Sequence, residues 1–229
     1  MRILLYCVGL MFLAFGVAFS VNSNLGVSPV NSLPYVISLI LKVDLGRCIV
    51  GVFVTYMIVQ VIIKRKEYKW INLTQLIFST IFGYFADFAK GVMHGFVIPT
   101  YFGQLLMMAI SIVLVAIGVA IYMDVKLVNM PMEGMTLAIS DCFPNIEFHK
   151  IKIIVDCSSV AVGVVLSFLF MHGLFGIREG TILSALLVGK LLPVVKKKIS
   201  PVIQNEASQT NRISVKQNTI CTVTAREQQ

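Results

Sequence analysis

Apolar residues fall in long unbroken runs rather than in the alternations or half-faces of a soluble protein. The runs extend approximately from Ile3 to Val21, Cys48 to Ile63, Ile71 to Ala89, Phe102 to Met123, Ile151 to Ile177 and Thr181 to Val195. A helix needs about 20 apolar residues to cross the hydrocarbon of a bilayer, so each run is long enough, or nearly so, for a tilted crossing. The pattern predicts an all-α, polytopic membrane bundle of about six transmembrane helices. A seventh stretch, Val30 to Leu41, is too short to cross and carries Pro34. It predicts a half-helix, either re-entrant or lying at the interface. After Val195 the apolar pattern stops, which divides the chain into a bundle over 1–195 and a basic polar tail over 196–229 that reads as disordered.

Composition strengthens this reading. The 229 residues are 57% hydrophobic and 13% charged, with mean hydropathy +0.87, against about 45–50% apolar and about 25% charged for soluble domains. A water-soluble globule is excluded. The net charge of +8 does not point to nucleic acid, because the basic residues lie between and after the apolar runs. They act as topology signals instead. With the amino terminus in the cytosol, the inner segments hold Arg2, Lys64, Arg65, Lys66, Lys69, Lys126, Lys150, Lys152 and the tail, whereas outer loops hold Lys42, Arg47, Lys90 and Arg178. This asymmetry predicts six spans with both termini cytoplasmic, and Trp70 at the inner headgroup level. The run after Arg2 ends in small residues, as a secretory signal does, but its length and its counterpart a hundred residues later predict a retained first span. Five cysteines without C-x-x-C spacing, Cys7, Cys48, Cys142, Cys157 and Cys221, predict free thiols rather than disulfides or a zinc site.

Laid against itself at an offset of 102 residues, the chain places Gly16-Val17-Ala18 on Gly118-Val119-Ala120, Pro29 on Pro131, Ile37 on Ile139 and Ser38 on Ser140; with a few inserted residues Gly83 falls on Gly189. Each half reads as a long span, a short Pro-containing segment and two further spans. Three crossings per half is an odd number, so the second copy (about 101–195) enters the membrane inverted relative to the first (about 1–95). Inverted repeats build many secondary transporters, whose sites form where interrupted helices meet near the midplane. That points to Ser28, Pro29 and Asn31 in one half and to Pro131, Glu133 and Gly134 in the other. The competing reading is a pair of ordinary interfacial turns.

The stretch NLGVSPVNSLPYVIS from Asn24 to Ser38, the following LGRCIVG, PMEG at Pro131 to Gly134, KIIVD at Lys152 to Asp156 and IREGTI at Ile177 to Ile182 together resemble the YczE/YitT-like family of bacterial integral membrane proteins. The resemblance covers Met1 to about Val195. It implies a bacterial cytoplasmic membrane location and roughly six helices, and it brings no settled activity. Asn31 stands where the resemblance leads one to expect an acidic residue.

Charges inside apolar runs cost about 2.5–3.5 kcal/mol at mid-membrane and ask for a partner or a wet cavity. Asp87, Asp156 and Lys190 are the clear cases, and depth counting predicts that Asp156 meets Lys190 across the last two helices. Glu133 precedes a glycine where a ligand can approach, and is either a cation site or a solvated carboxylate. Glu179 suits the first turn of the last helix, and Thr181 can bond locally there. Arg178 is unfavourable at that position and invites an anion or Asp87. No G-x-S-x-G, H-E-x-x-H or phosphate-binding glycine loop occurs, so no catalytic residue, metal or cofactor is expected. The expected role is movement or binding of a small solute or ion within the lipid bilayer, with Asn31, Glu133, Asp156, Arg178, Glu179 and Lys190 as candidates. The alternatives are a lipid-binding or lipid-flipping protein, or a regulatory scaffold whose tail recruits anionic lipid or a cytosolic partner.

Overall fold

In hydrocarbon every backbone N–H and C=O must be satisfied within its own segment, and a run of apolar residues meets that demand by coiling. A computed structural model describes residues 2–65, 73–94, 96–125, 127–188, 190–192 and 194–198, and no strand occurs among them. The helices are α1 (Arg2–Asn22), α2 (Pro29–Leu41), α3 (Leu45–Lys64), α4 (Thr74–Val92), α5 (Tyr101–Val125), α6 (Pro131–Cys142) and α7 (Phe148–Met171). Residues 179–188, 190–192 and 194–198 are helical as well. Trp70, Lys66, Lys69, Lys126, Gly189, Cys221 and the tail from residue 199 lie outside the described residues.

Four helices, α1, α3, α5 and α7 from Lys150 onward, are long and apolar enough to cross a membrane. Helix α4 has 19 residues but carries Thr74, Gln75, Ser79, Thr80, Asp87 and Lys90, which leave it less apolar than these four. The fifth apolar run, expected to continue to Ile177, stops at Met171. His172 there adopts φ 53°, and Gly176 follows with φ 76°, a left-handed geometry that ends helices and suits glycine.

The core is an antiparallel crossing of α1 and α5. A Cβ on Gly16 would lie 2.7 Å from a Val115 methyl, and one on Gly118 would lie 2.7 Å from both the Gly9 carbonyl and the Leu13 nitrogen. The backbones therefore approach as only small residues allow, which is how membrane helices gain packing without a hydrophobic driving force. Ser111 tightens the crossing by donating to the Gly16 carbonyl at 2.6 Å. Around this pair, α4 packs on α1 and α3, α2 packs on α7 and α3, and α6 packs on α3 and α7. The outward sides of α7 expose Ile154, Val165, Leu169 and Phe170.

The two short helices begin alike. Proline at the first helical position costs nothing, since its missing N–H has no partner there, and it forces the preceding residue out of the helical region. Ser28 before Pro29 has φ −59° and ψ 150°, and Met130 before Pro131 has φ −64° and ψ 150°. Helix α2 ends where Lys42 turns left-handed and its N–H returns to the Ser38 carbonyl. At about 20 Å or less, neither helix spans a bilayer.

Candidate functional site

The buried polar side chains collect at two ends of the bundle. At the end holding the α1 amino terminus, the α6 start is ringed by α1, α3, α4, α5 and α7. Tyr122, where α5 passes Gly9 of α1, donates its hydroxyl to Glu133 Oε1 in a short hydrogen bond. Tyr6 on α1 packs edge-on against Tyr122, with ring centroids 5.9 Å apart, and donates to the Val128 carbonyl at 3.2 Å. Gln60, only 2% exposed, donates to the Pro131 carbonyl at 2.7 Å and to Gln75 Oε1 at 3.3 Å. Gly134 lets the Gln60 amide lie this close: a Cβ would stand 2.6 Å from Gln60 Oε1 and would push the amide aside. One turn further along α3, Lys64 meets Asp141 at 2.9 Å. Helix α6 thus runs obliquely, with its start deeper along α3 than its end.

Helix α7 brings charge to this cluster. Lys152 and Asp156, one turn apart, pair at 3.5 Å, and Glu133 feels Lys152 as an attractive charge and Asp156 as a repulsive one. The Asp156 Oδ1 atom is buried without a hydrogen-bond partner. Above them Tyr56 and Ser159 share a hydrogen bond of 2.9 Å. Two carboxyl groups thus share one ammonium, and when both are ionised the three groups together carry one negative charge. Such a site suits a small cation or the protonated group of a solute. Among the described residues, no three His, Cys, Asp or Glu side chains gather as a metal site would require.

The expected pairing of Asp156 with Lys190 is not found. Lys152 is already within reach on the same helical face, and Lys190 is exposed with no ion pair among the described residues. Arg178 likewise does not meet Asp87. It is exposed, donates to the Asn24 carbonyl at 3.3 Å and pairs with Glu179 at 3.4 Å, while Asp87 Oδ1 accepts the Gly46 N–H at 2.7 Å. Cys7, Cys48, Cys142 and Cys157 are free thiols.

At the opposite end, Asn31 on α2 is 3% exposed; its amide donates to Ser28 Oγ at 3.2 Å and its Oδ1 is unpartnered. Nearby backbone segments interlock: Val27 N–H donates to the Gly176 carbonyl at 3.2 Å and Gly180 N–H to the Leu25 carbonyl at 2.9 Å. The α6 and α2 starts therefore lie toward opposite ends and do not meet near the midplane as the inverted-repeat pattern led one to expect. Arg178 and Glu179 lie beside the α2 start, where a Cβ on Gly26 would stand 2.8 Å from the Arg178 backbone nitrogen, and none of Arg178, Glu179 and Lys190 belongs to the polar cluster around Glu133. The residues that sequence reasoning missed are Tyr6, Tyr56, Gln60, Gln75, Tyr122, Lys152 and Ser159. Their signal was a hydrogen-bonding group in an otherwise apolar run. The basic run beginning at Lys196 starts against α5, where Lys196 lies 3.7 Å from Asp124.

A model of a family of unknown function, DUF6198, matches residues 1–197. The chain is 28% identical over 214 residues to a protein called "Uncharacterized protein YyaS" of Bacillus subtilis (strain 168), covering 93% of this chain and 98% of that protein. It is 26% identical over 192 residues to "Uncharacterized membrane protein YczE" of the same organism, covering 82% of this chain and 81% of that one. No solved structure matches. The apolar helices and the description of the second relative agree on a lipid bilayer environment.

Proposed function

We propose, from the premise that the chain belongs to the DUF6198 family of unknown function, that it is a multi-pass protein of the bacterial cytoplasmic membrane that binds and moves a small cation or cationic solute. The observation that carries this reading is the half-buried Glu133 at the start of a short, non-spanning helix, held by Tyr122 and balanced against Lys152 and Asp156. A carboxylate at such a helix break, with one uncompensated negative charge around it, is a group that a membrane protein keeps for a cation pathway.

The mechanism is alternating access between two inverted repeats. What supports the repeat is a set of contacts that exchange under the 102-residue offset. Gly16 against Val115 becomes Leu13 against Gly118, and Gly16 against Ser111 becomes Gly9 against Gly118; all four contacts occur. The packing of α2 on α7 likewise exchanges with that of α6 on α3. Under the same offset Ser28 maps to Met130, whose backbone angles match, and Asn31 maps to Glu133.

The test uses purified full-length protein. Thermal unfolding is measured against monovalent cations and small organic amines, followed by uptake of any stabilising cation into proteoliposomes, because a ligand of the native state raises its apparent stability. Glu133→Gln is expected to abolish both the cation response and uptake while the protein still folds. A Glu133→Gln protein with unchanged uptake would sink the reading.

A further inference from the structure

We infer that a groove between α3 and α4, at the membrane boundary opposite the Glu133 site, holds the headgroup of an aminophospholipid of the phosphatidylethanolamine type. The groove has a volume of about 370 Å³ and is bordered by Asp44, Arg47, Val50, Thr80, Tyr84 and Asp87. It exists because the helices touch at Gly46 and Gly83, where a Cβ on Gly46 would collide with the Gly83 carbonyl. From that contact the side chains diverge.

The chemistry of the walls is graded. Asp44, Arg47 and Asp87 form the polar part, and Val50 and the ring of Tyr84, 73% exposed, form the apolar part. Asp87 lies five residues before the end of α4, about 7–8 Å along the helix, which is headgroup depth rather than mid-membrane. Its Oδ1 is used on the Gly46 N–H. Among the described residues Asp87 forms no ion pair, which leaves its charge to be met from the groove. That carboxylate is the recognition element for an ammonium. Among the described residues Arg47 forms one ion pair, with Asp44 through Nε at 3.4 Å, and 77% of its side chain is exposed, so the outer edge of its guanidinium fork can take a phosphate. Asp44 and Asp87 stand against Arg47 and Lys90, the lysine one turn past Asp87 that acts on the same neighbour, Cys48. The groove is therefore neutral overall, as an ammonium and a phosphodiester on one zwitterionic molecule are, and the apolar wall receives the start of an acyl chain. A free cation would leave Arg47 unmatched, and an anionic lipid would leave Asp87 unmatched.

The site is independent of the cargo reading, since it shares no residue with the Glu133 cluster. Binding to the full-length protein in detergent is measured by native mass spectrometry with phosphatidylethanolamine, phosphatidylglycerol of the same acyl chains, and water-soluble glycerophosphoethanolamine. Phosphatidylethanolamine is expected to bind about tenfold more tightly than phosphatidylglycerol, the scale of one charge-assisted hydrogen bond. Asp87→Asn is expected to erase that preference, while Glu133→Gln keeps it. Because Asp87 also holds the α3 start, Arg47→Gln serves as a second variant on an exposed side chain; it should weaken phosphatidylethanolamine severalfold in a folded protein. Equal binding of the two lipids, unchanged binding in Arg47→Gln, or soluble headgroup binding as tightly as the lipid would each overturn the inference.

Discussion

At the start of α2 the chain turns from Ser28 into Pro29, and at the start of α6 it turns from Met130 into Pro131, with backbone angles that agree within a few degrees. Three residues in, the chemistry parts. Asn31 is neutral, almost fully buried and carries an unpartnered Oδ1, whereas Glu133 accepts from Tyr122 and faces Lys152 and Asp156. The surrounding positions diverge in the same way. Where α5 offers Tyr122, the corresponding place on α1 is Ser20, which turns back to the Gly26 carbonyl; where α1 offers Tyr6, the corresponding place on α5 is Met108, whose sulfur accepts from Ser20 and Ser23. One backbone device thus carries a carboxyl group among charged neighbours at one end and a neutral, closely packed amide at the other. The difference teaches that one and the same break in a helix takes its chemical character from the three or four side chains around it.

The comparison can be broken at its shared support. Gly118→Leu drives a side chain into the backbone of α1 and should cost about 3 kcal/mol or more, lowering the unfolding temperature and disrupting both ends together. It can be sharpened at the charged end alone. Tyr122→Phe removes the donor from a carboxylate and should cost about 1.5–3 kcal/mol, read as a lower unfolding temperature and a changed cation response. Gln60→Ala frees the Pro131 carbonyl and should cost about 1–2 kcal/mol in chemical denaturation, with the cation response weakened rather than lost. Smallest is Asn31→Ala. It removes one hydrogen bond together with an unpartnered carbonyl, and should change stability by about 0.5 kcal/mol or less and leave cation binding intact. A large effect of Asn31→Ala would mean that the two ends are functionally alike.

Much of this was readable before any coordinates. Pro29 and Pro131 announced two short helices because proline is welcome only at a helix start, and the apolar runs announced α1, α3, α5 and α7 because length and composition alone decide a crossing. Asn31 and Glu133 stood at matching offsets. The partners of Glu133 were hidden for a physical reason: Tyr6 and Tyr122 are mostly ring, so inside an apolar run they read as packing, and only tertiary contact turns their hydroxyls toward the same place. The Asp156 error was of another kind. Counting depth favoured a distant lysine, when the four-residue spacing to Lys152 already provided a partner on one helical face. Arg178 was misplaced because loop geometry, with Asn24 at φ 55° and Gly26 at φ 111°, decides which carbonyl its side chain reaches.

The paired backbone bonds between the segment at Leu25 to Val27 and that at Gly176 to Gly180 have a mechanical meaning. They stitch the first half of the chain to the second at the neutral end, through groups that carry no charge and need no ligand. At the Glu133 end the halves are joined too, by Gln60 to the Pro131 carbonyl, Tyr6 to the Val128 carbonyl and Lys64 to Asp141, but each of these joins runs through a side chain. Side chains can turn about their rotors where a pair of backbone bonds cannot, so a rocking of the halves would be taken up first beside Glu133.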